Sequence, residues 1–322
     1  MWGCTNWKKT FKFYGENTSI HGISYVANSS YFILERFCWL LVVILSMYGM
    51  ILIFLASYDA YDTNPISFVT DTSYLQWNTS FPAISICQVM NQDIYWTAEP
   101  NAAYSALQTF ISEIVFFTGS CYACGKPCAE CNKVNMTEVV NRYRKSCTSV
   151  LGTCKWNGEP FNCCDKFLPV KTEYGTCFAI NSLHAKHTKN SHLRMTSNRF
   201  LGPGQLSIES LDDVRVFFHA PEDIPFINAD PDKRDDVMLG EKYIKQFNVI
   251  EIANDDEVRQ VPVRKRGCRF PDEPPPELKV HNFYSYSTCV VQCHADAQMR
   301  FCNCTHHLMP NSRMYCEKYH EF

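Results

Sequence analysis

The longest apolar segment of the chain, residues 37–58, most limits how this sequence can fold. Its 22 residues, FCWLLVVILSMYGMILIFLASY, contain no charged side chain. As a helix they would extend roughly 33 Å, enough to cross the hydrocarbon core of a bilayer. A buried core helix and a cleaved signal peptide are the alternatives, but a signal's apolar stretch is shorter and lies nearer residue 1. We therefore predict a transmembrane helix over residues 37–58.

The charges on either side of this segment predict its orientation. Four basic and two acidic residues precede it, a net charge of +2, whereas acidic residues follow it and no basic residue occurs before Lys126. Positive charge beside a membrane helix favours the cytoplasmic side. We therefore predict a cytoplasmic N-terminus over residues 1–36, contact of the helix with the lipid bilayer, and an extracellular domain over residues 59–322.

Cysteines and glycosylation sequons support this orientation independently. Only Cys4 and Cys38 precede or lie in the apolar segment, and the other 16 of the 18 cysteines follow it. Disulfides persist mainly outside the reducing cytosol. Sequons for N-linked glycosylation follow the segment at Asn78, Asn135 and Asn303. Matching sequons at residues 17 and 28 would be unusable on the cytoplasmic side.

The extracellular part is predicted to be a disulfide-rich α+β domain. Residues 102–118 carry apolar side chains at helical spacing, with Asn101 as an N-cap and Gly119 as a stop. The segments FPAISIC, LSIES and VRVFF are typical of strands. One cysteine-dense block covers residues 121–177 and a second covers residues 268–316, with a cysteine-free stretch between them.

Metal-binding and catalytic interpretations are weaker than the disulfide interpretation. The cluster Cys121, Cys124, Cys128 and Cys131 has zinc-like residue types, but the gap between its two pairs is shorter than zinc ribbons use. A second cluster with zinc-like residue types comprises Cys302, Cys304, His306 and His307. Disulfide bonding would remove its thiolates, so we favour disulfides here as well. We predict no metal and no cofactor.

Other functions find little support in the sequence. The motifs of hydrolases, metalloproteases, kinases and phosphate-binding loops do not occur, so we predict no enzyme. A net charge of −3 gives no reason to expect nucleic acid as a partner. Histidines at 184, 187 and 192 have the side chain that senses acid near neutral pH. They also fit an ordinary polar loop.

Six segments, in order, resemble the epithelial sodium channel/degenerin family, most of all its pickpocket branch. The first is TSIHGISYV, just before the apolar segment, which resembles the family's cytoplasmic His-Gly motif. The others are FPAISIC, YGTCFAIN, VFFHAPEDIPF, YSYSTCVVQC and CNCTHHLMPNSRMYC, which resemble its extracellular strands and cysteine-rich thumb. Together they extend over nearly the whole chain.

The resemblance implies a stimulus-gated, amiloride-sensitive sodium channel of the plasma membrane, assembled as a homo- or hetero-trimer. Each subunit of such a channel has two membrane helices and a palm, finger and thumb ectodomain. His21 and Gly22 match the positions that the family uses in gating, near the cytoplasmic mouth of the pore. A glycine there also fits a tight turn with positive φ whatever its function.

The resemblance also implies a set of disulfides. It pairs Cys87 with Cys177, Cys304 with Cys316, and Cys154 with Cys163. Four thumb cysteines would have their partners beyond residue 322; these are Cys268, Cys289, Cys293 and Cys302. The family's second helix would also lie beyond residue 322, so we expect a truncated chain that does not conduct alone. Two alternatives stay open: a single-pass cysteine-rich surface receptor, and a truncated subunit that modulates complete relatives.

Overall fold

The computed structural model describes residues 7–63, 66–70, 77–91, 102–116, 135–185, 193 and 195–311. The chain divides into two compact units. The first comprises residues 1–69 with residues 254–268, and the second comprises residues 70–253 with residues 269–322.

Helices and strands alternate irregularly along the chain, as in an α+β protein. The helices are α1 (Trp7–Asn17), α2 (Ile23–Ala27), α3 (Ile33–Thr63), α4 (Ala102–Val115), α5 (Met136–Tyr143), α6 (Cys147–Val150), α7 (Cys163–Lys166), α8 (Val263–Arg266) and α9 (Tyr286–Cys302). The strands are β1 (Thr79–Ser80), β2 (Ala83–Gln88), β3 (Leu151–Trp156), β4 (Glu159–Phe161), β5 (Leu168–Thr172), β6 (Gly175–Ile180), β7 (Thr196–Ser197), β8 (Leu206–Ser210), β9 (Val214–His219) and β10 (Arg234–Val237). Short 3-10 helices cover Pro231–Lys233 and Asp256–Gln260.

Helix α3 is the long apolar helix of the first unit. It has 31 residues, and among the described residues it is the one helix long and apolar enough to cross a membrane. It begins four residues before the predicted segment and ends five residues after it, so the predicted bounds 37–58 cover only its apolar part. At about 1.5 Å per residue its length exceeds a hydrocarbon core of about 30 Å, which leaves polar turns at both ends.

An ion pair lies at the C-terminal end of α3. Asp62 accepts a hydrogen bond from the Lys265 ammonium of α8, within the same unit. An acidic side chain at a helix C-terminus meets the negative end of the helix dipole, and a nearby cation offsets that cost. This contact joins two segments that are far apart in sequence.

The second unit is built around a five-stranded antiparallel sheet in the order β10-β9-β2-β6-β5. All six residues of β2 are buried, because this strand is central in the sheet and both of its faces are covered. A smaller sheet has the order β4-β3-β8. The main apolar core of this unit includes Ile84, Ile86, Val150, Phe167 and Val214.

Helix α9 packs in a second apolar cluster of this unit through Val291 and Ala295. It begins with a capping box, in which Ser285 accepts from the Thr288 backbone and the Thr288 hydroxyl accepts from the Ser285 backbone. It is capped at its C-terminal end by Asn303, whose φ of 56° is left-handed.

Residues 102–115 form the helix α4, where the sequence predicts one. Its predicted N-cap Asn101 and its predicted stop Gly119 lie outside the described residues.

Candidate functional site

The turn formed by His21 and Gly22 lies directly before α2 and packs on α3. Gly22 is buried and has φ 93° and ψ −31°, a conformation that side-chain-bearing residues rarely adopt. A Cβ atom at this position would lie 2.8 Å from Cγ2 of Val43 and 3.5 Å from Cε3 of Trp39. Two independent constraints, backbone conformation and space, therefore require glycine here.

Aromatic rings hold this turn against the start of the apolar helix. The exposed His21 ring lies 6.2 Å, centroid to centroid, from Trp39 in an edge-on arrangement. Tyr25 of α2 stacks on Trp39 at 4.6 Å. Arg36 Nε donates to the Val26 carbonyl at 2.9 Å and so ties the end of α2 to α3. A change in the turn would therefore be felt by the apolar helix through direct contacts.

Among the described residues, three disulfides with both cysteines described staple the second unit. Cys87 and Cys177 join neighbouring strands β2 and β6, with an S–S distance of 2.05 Å and Cα atoms 4.5 Å apart. Cys154 of β3 is bonded to Cys163 of α7.

The third disulfide joins Cys147 to Cys164, a pairing that the sequence analysis did not predict. The resemblance implied a partner for Cys163 but none for the adjacent Cys164, and the three-dimensional arrangement brings Cys147 to Cys164.

The cysteines of the second block divide into bonded and free thiols. Cys304 is in a disulfide, and its expected partner Cys316 lies outside the described residues. Five cysteines of the described residues are free thiols. One is Cys38 of α3, and the other four are those for which the resemblance implies partners further along, Cys268, Cys289, Cys293 and Cys302. Burial and the neighbouring Cys293 raise the pKa of the Cys289 thiol, which makes it less reactive than an ordinary cysteine.

The zinc interpretations find no support in the described part of the chain. No group of three or more His, Cys, Asp or Glu side chains that could hold a metal ion occurs among those residues. The cluster from Cys121 to Cys131 lies outside them. His306 and His307 lie with ring centroids 4.1 Å apart, and burial lowers the pKa of both.

The three sequon asparagines have different local settings. Asn78 and Asn135 are exposed, and Asn135 caps helix α5 by accepting from the Glu138 backbone. Asn303 is exposed in its left-handed position, but Thr305, the hydroxyl residue of its sequon, is only 1% exposed. Asn78 accepts a hydrogen bond from Asn198 Nδ2 at 2.7 Å.

A histidine cluster, with His281 buried and His184 and His219 partly buried, lies between the end of β9 and the segment before α9. His184 and His281 lie edge-on with centroids 4.9 Å apart, and His184 Nε2 donates to the Glu222 carbonyl at 2.8 Å. His219 donates through Nδ1 to the Ala220 carbonyl, so in its neutral form Nε2 accepts from the hydroxyl of a buried serine on β2 at 2.7 Å. His187 and His192, named with His184 in the sequence, lie outside the described residues.

The pKa values of this cluster are all low because the imidazoles are buried. Burial lowers the pKa of His281 to about 3, with a further contribution from His184, and lowers that of His219 to about 4. Burial also lowers the pKa of His184, although the Glu222 carbonyl and the Asp223 carboxylate oppose the shift. The folded protein keeps these rings neutral while the unfolded chain protonates near pH 6.5. Acid between pH 6.5 and the folded pKa therefore destabilises the fold.

Arg144 is an important residue that sequence reasoning missed. Its guanidinium donates to the backbone carbonyls of Val115, Gln88 and Tyr174, which belong to a helix end, a strand end and a hairpin turn. It also lies 4.8 Å from the centroid of the Phe116 ring. Burial lowers its pKa to about 10, so it stays charged at neutral pH. In the sequence Arg144 is one of several neighbouring basic residues, and nothing in this pattern indicates that its side chain binds three carbonyls.

These features define a class of protein: an α+β domain stapled by disulfides, attached to an apolar helix with a glycine turn packed on its start. The profile of the amiloride-sensitive sodium channel family matches residues 14–322. The chain belongs to the amiloride-sensitive sodium channel family. The resemblance inferred from the six segments is therefore confirmed, and so is the α+β fold class.

Characterised relatives agree with this assignment. The chain is 21% identical to sodium channel protein Nach of Drosophila ananassae, over 92% of this chain and 61% of that protein. It is 21% identical to pickpocket protein 19 of Drosophila melanogaster, over 90% and 63%, and 22% identical to acid-sensing ion channel 1C of Danio rerio, over 94% and 60%. The chain thus spans about 60% of the length of these relatives. Two of these three relatives are named as ion channels.

Proposed function

We propose that this chain is a subunit of an amiloride-sensitive sodium channel of the plasma membrane. The observation that carries the proposal is the family match, which extends from residue 14 to residue 322. It covers α3, the three sheets of the described residues and α9, so it includes the turn at His21 and Gly22 as well as the disulfide-bonded domain. Sodium ions are the proposed permeant species, and three subunits are the proposed assembly.

The proposed topology has residues 1–36 in the cytoplasm and the domain after α3 outside the cell. The charge difference across α3 supports this orientation, since basic residues precede the helix and acidic residues follow it. The disulfides described in the second unit also support it, because such bonds persist in an oxidising compartment.

We assign a gating role to His21 and Gly22. The support is geometric: the turn contacts Trp39 and Val43 of α3 directly, so a shift of the apolar helix must move or break these contacts. An element with one closely fitted packing arrangement is suited to switching between discrete states. Disulfides and glycans are assigned to the extracellular domain, at the cysteines and sequons described above.

Electrophysiology tests the function. The chain is expressed in oocytes, alone and together with a complete family member, and currents are recorded in sodium and after replacement of sodium by a large organic cation. We expect the chain to change the inward current of the complete family member that amiloride blocks. Normal surface abundance with no effect on any sodium current in either condition would refute a channel role and favour a single-pass surface receptor.

A further inference from the structure

An exposed apolar turn lies at one edge of the second unit, between β7 and β8. Phe200 is 92% exposed and Leu201 is 60% exposed. The turn is nevertheless well formed: the Gly202 amide donates to the Asn198 carbonyl at 2.9 Å, and Gly202 has φ 73°. Asn198 Oδ1 accepts from the backbone amides of Phe200 and Leu201 at 2.9 and 2.7 Å. Two adjacent large apolar side chains are therefore held in solvent by a defined backbone.

The sequon at Asn78 lies directly beside this turn. Strand β1 pairs with β7 so that Thr79 is opposite Ser197, and continuing the antiparallel register places Asn78 opposite Asn198. The side chains confirm the pairing, since Asn198 Nδ2 donates to Asn78 Oδ1 at 2.7 Å. One residue, Asn198, thus holds both the apolar turn and the sequon asparagine.

We propose that an N-linked glycan on Asn78 packs its first sugars over Phe200 and Leu201. The inference rests on the proposed topology, which places this edge outside the cell. The Asn78 side-chain nitrogen forms a bond to the anomeric carbon of a lipid-linked oligosaccharide, the lipid diphosphate leaves, and the amide nitrogen loses one proton. The Oδ1 atom takes no part in the new bond and continues to accept from Asn198, which keeps the first sugar next to the turn.

The chemistry of the surface favours a sugar as the occupant. A pyranose ring has an apolar face of C–H groups that covers an aromatic ring, and a polar rim that stays in water. Both Asn78 and Ser80 are exposed, so the sequon is accessible in the folded domain. The sequon at Asn303 differs, because its Thr305 is buried. A glycan here would shield apolar surface that otherwise favours association.

A thermal double-mutant cycle on the full chain, produced in glycosylating cells and purified in detergent, tests the inference. Ser80→Ala removes the sequon and keeps Asn78, and Phe200→Ser removes the aromatic ring. We expect Ser80→Ala to lower the Tm by about 3 °C in the parent chain and to leave it unchanged in the Phe200→Ser background. Thr79→Ala is the matched control, because it deletes a neighbouring hydroxyl of the same strand and leaves the sequon intact.

Glycopeptide mass spectrometry of the same samples separates the outcomes. A glycan on Asn78 together with the expected coupling supports the inference. Equal losses of Tm in both backgrounds overturn it, as does oligomer dissociation by Phe200→Ser independent of the glycan, which would assign the turn to contact with a second copy. A bare Asn78 beside a glycosylated Asn135 overturns this inference and leaves the topology standing. The absence of a glycan from both Asn78 and Asn135 would count against this inference and against the proposed topology. Sodium currents test the channel function separately.

Discussion

Replacement of Gly22 by alanine adds one atom, Cβ, to the contact between the His21–Gly22 turn and the apolar helix α3. The added Cβ would lie 2.8 Å from Val43 Cγ2, closer than carbon atoms tolerate. The residue would also have to hold φ 93°. A positive φ costs a non-glycine residue about 1–2 kcal/mol. The ratio of the closed turn to its open forms should therefore fall by a factor of at least about 5–30.

Amide hydrogen exchange on the full chain in lipid nanodiscs measures this loss directly. The Val26 amide donates to the Gly22 carbonyl at 3.4 Å, so its exchange reports opening of the turn. We expect this amide to exchange about 5–30 times faster in Gly22→Ala. In a conducting channel the same variant should lower the open probability without loss of surface expression, because the second unit is untouched.

Two further variants make this prediction sharp. Gly49→Ala adds a Cβ to the same helix α3 where no atom lies within 4 Å, so exchange and current should stay at parent levels. Adding Val43→Ala to Gly22→Ala removes the clashing methyl and should restore part of the protection, but not the part lost to backbone conformation. Unchanged Val26 exchange in Gly22→Ala would show that the reasoning is wrong. Normal open probability at normal surface levels would reject the gating role.

Three other perturbations test the second unit by denaturant unfolding of the full chain. Since His281 stays neutral in the folded protein, it should lower the free energy of unfolding by about 1.4 kcal/mol for each unit by which the pH falls from 6.5 to 5. His281→Leu should therefore make stability less dependent on pH in this range. An unchanged slope would contradict a buried neutral ring at this position. Arg144→Met should lower the free energy of unfolding by about 3 kcal/mol, because it leaves buried carbonyls without a donor. Replacement of the exposed Arg142 by methionine should lower it by less than about 0.5 kcal/mol. Equal effects of the two variants would contradict the role of Arg144 in holding the three carbonyls. Replacing both Cys87 and Cys177 with alanine opens a loop with a sequence separation of 90 and should cost about 4–5 kcal/mol, a prediction that a loss below 1 kcal/mol would contradict.

Local patterns predicted much of the fold. The segment FPAISIC was expected to be a strand, and β2 covers Ala83–Gln88 within it and one residue beyond. The segments LSIES and VRVFF correspond to β8 and β9, and the amphipathic pattern after residue 101 corresponds to α4. These predictions succeed because strand and helix periodicity depend on neighbours two to four residues apart, which the sequence displays directly.

The candidate site was only partly accessible to the same reasoning. The family motif drew attention to His21 and Gly22, but neither motif nor spacing indicated that the glycine faces Val43 at a distance that excludes any side chain. The role of Arg144 was missed entirely, because its three carbonyl partners come from segments that are distant from one another in sequence.

By itself the sequence determined that this chain has a long apolar helix followed by a cysteine-rich α+β domain. An uncharged run of 22 residues has few stable conformations other than a helix in an apolar environment, so no tertiary information was needed. Only the tertiary structure decided that Cys147 is bonded to Cys164, and that Asn78 lies against Asn198. Such contacts join residues up to 120 positions apart, and their choice depends on how the sheets pack rather than on any local preference.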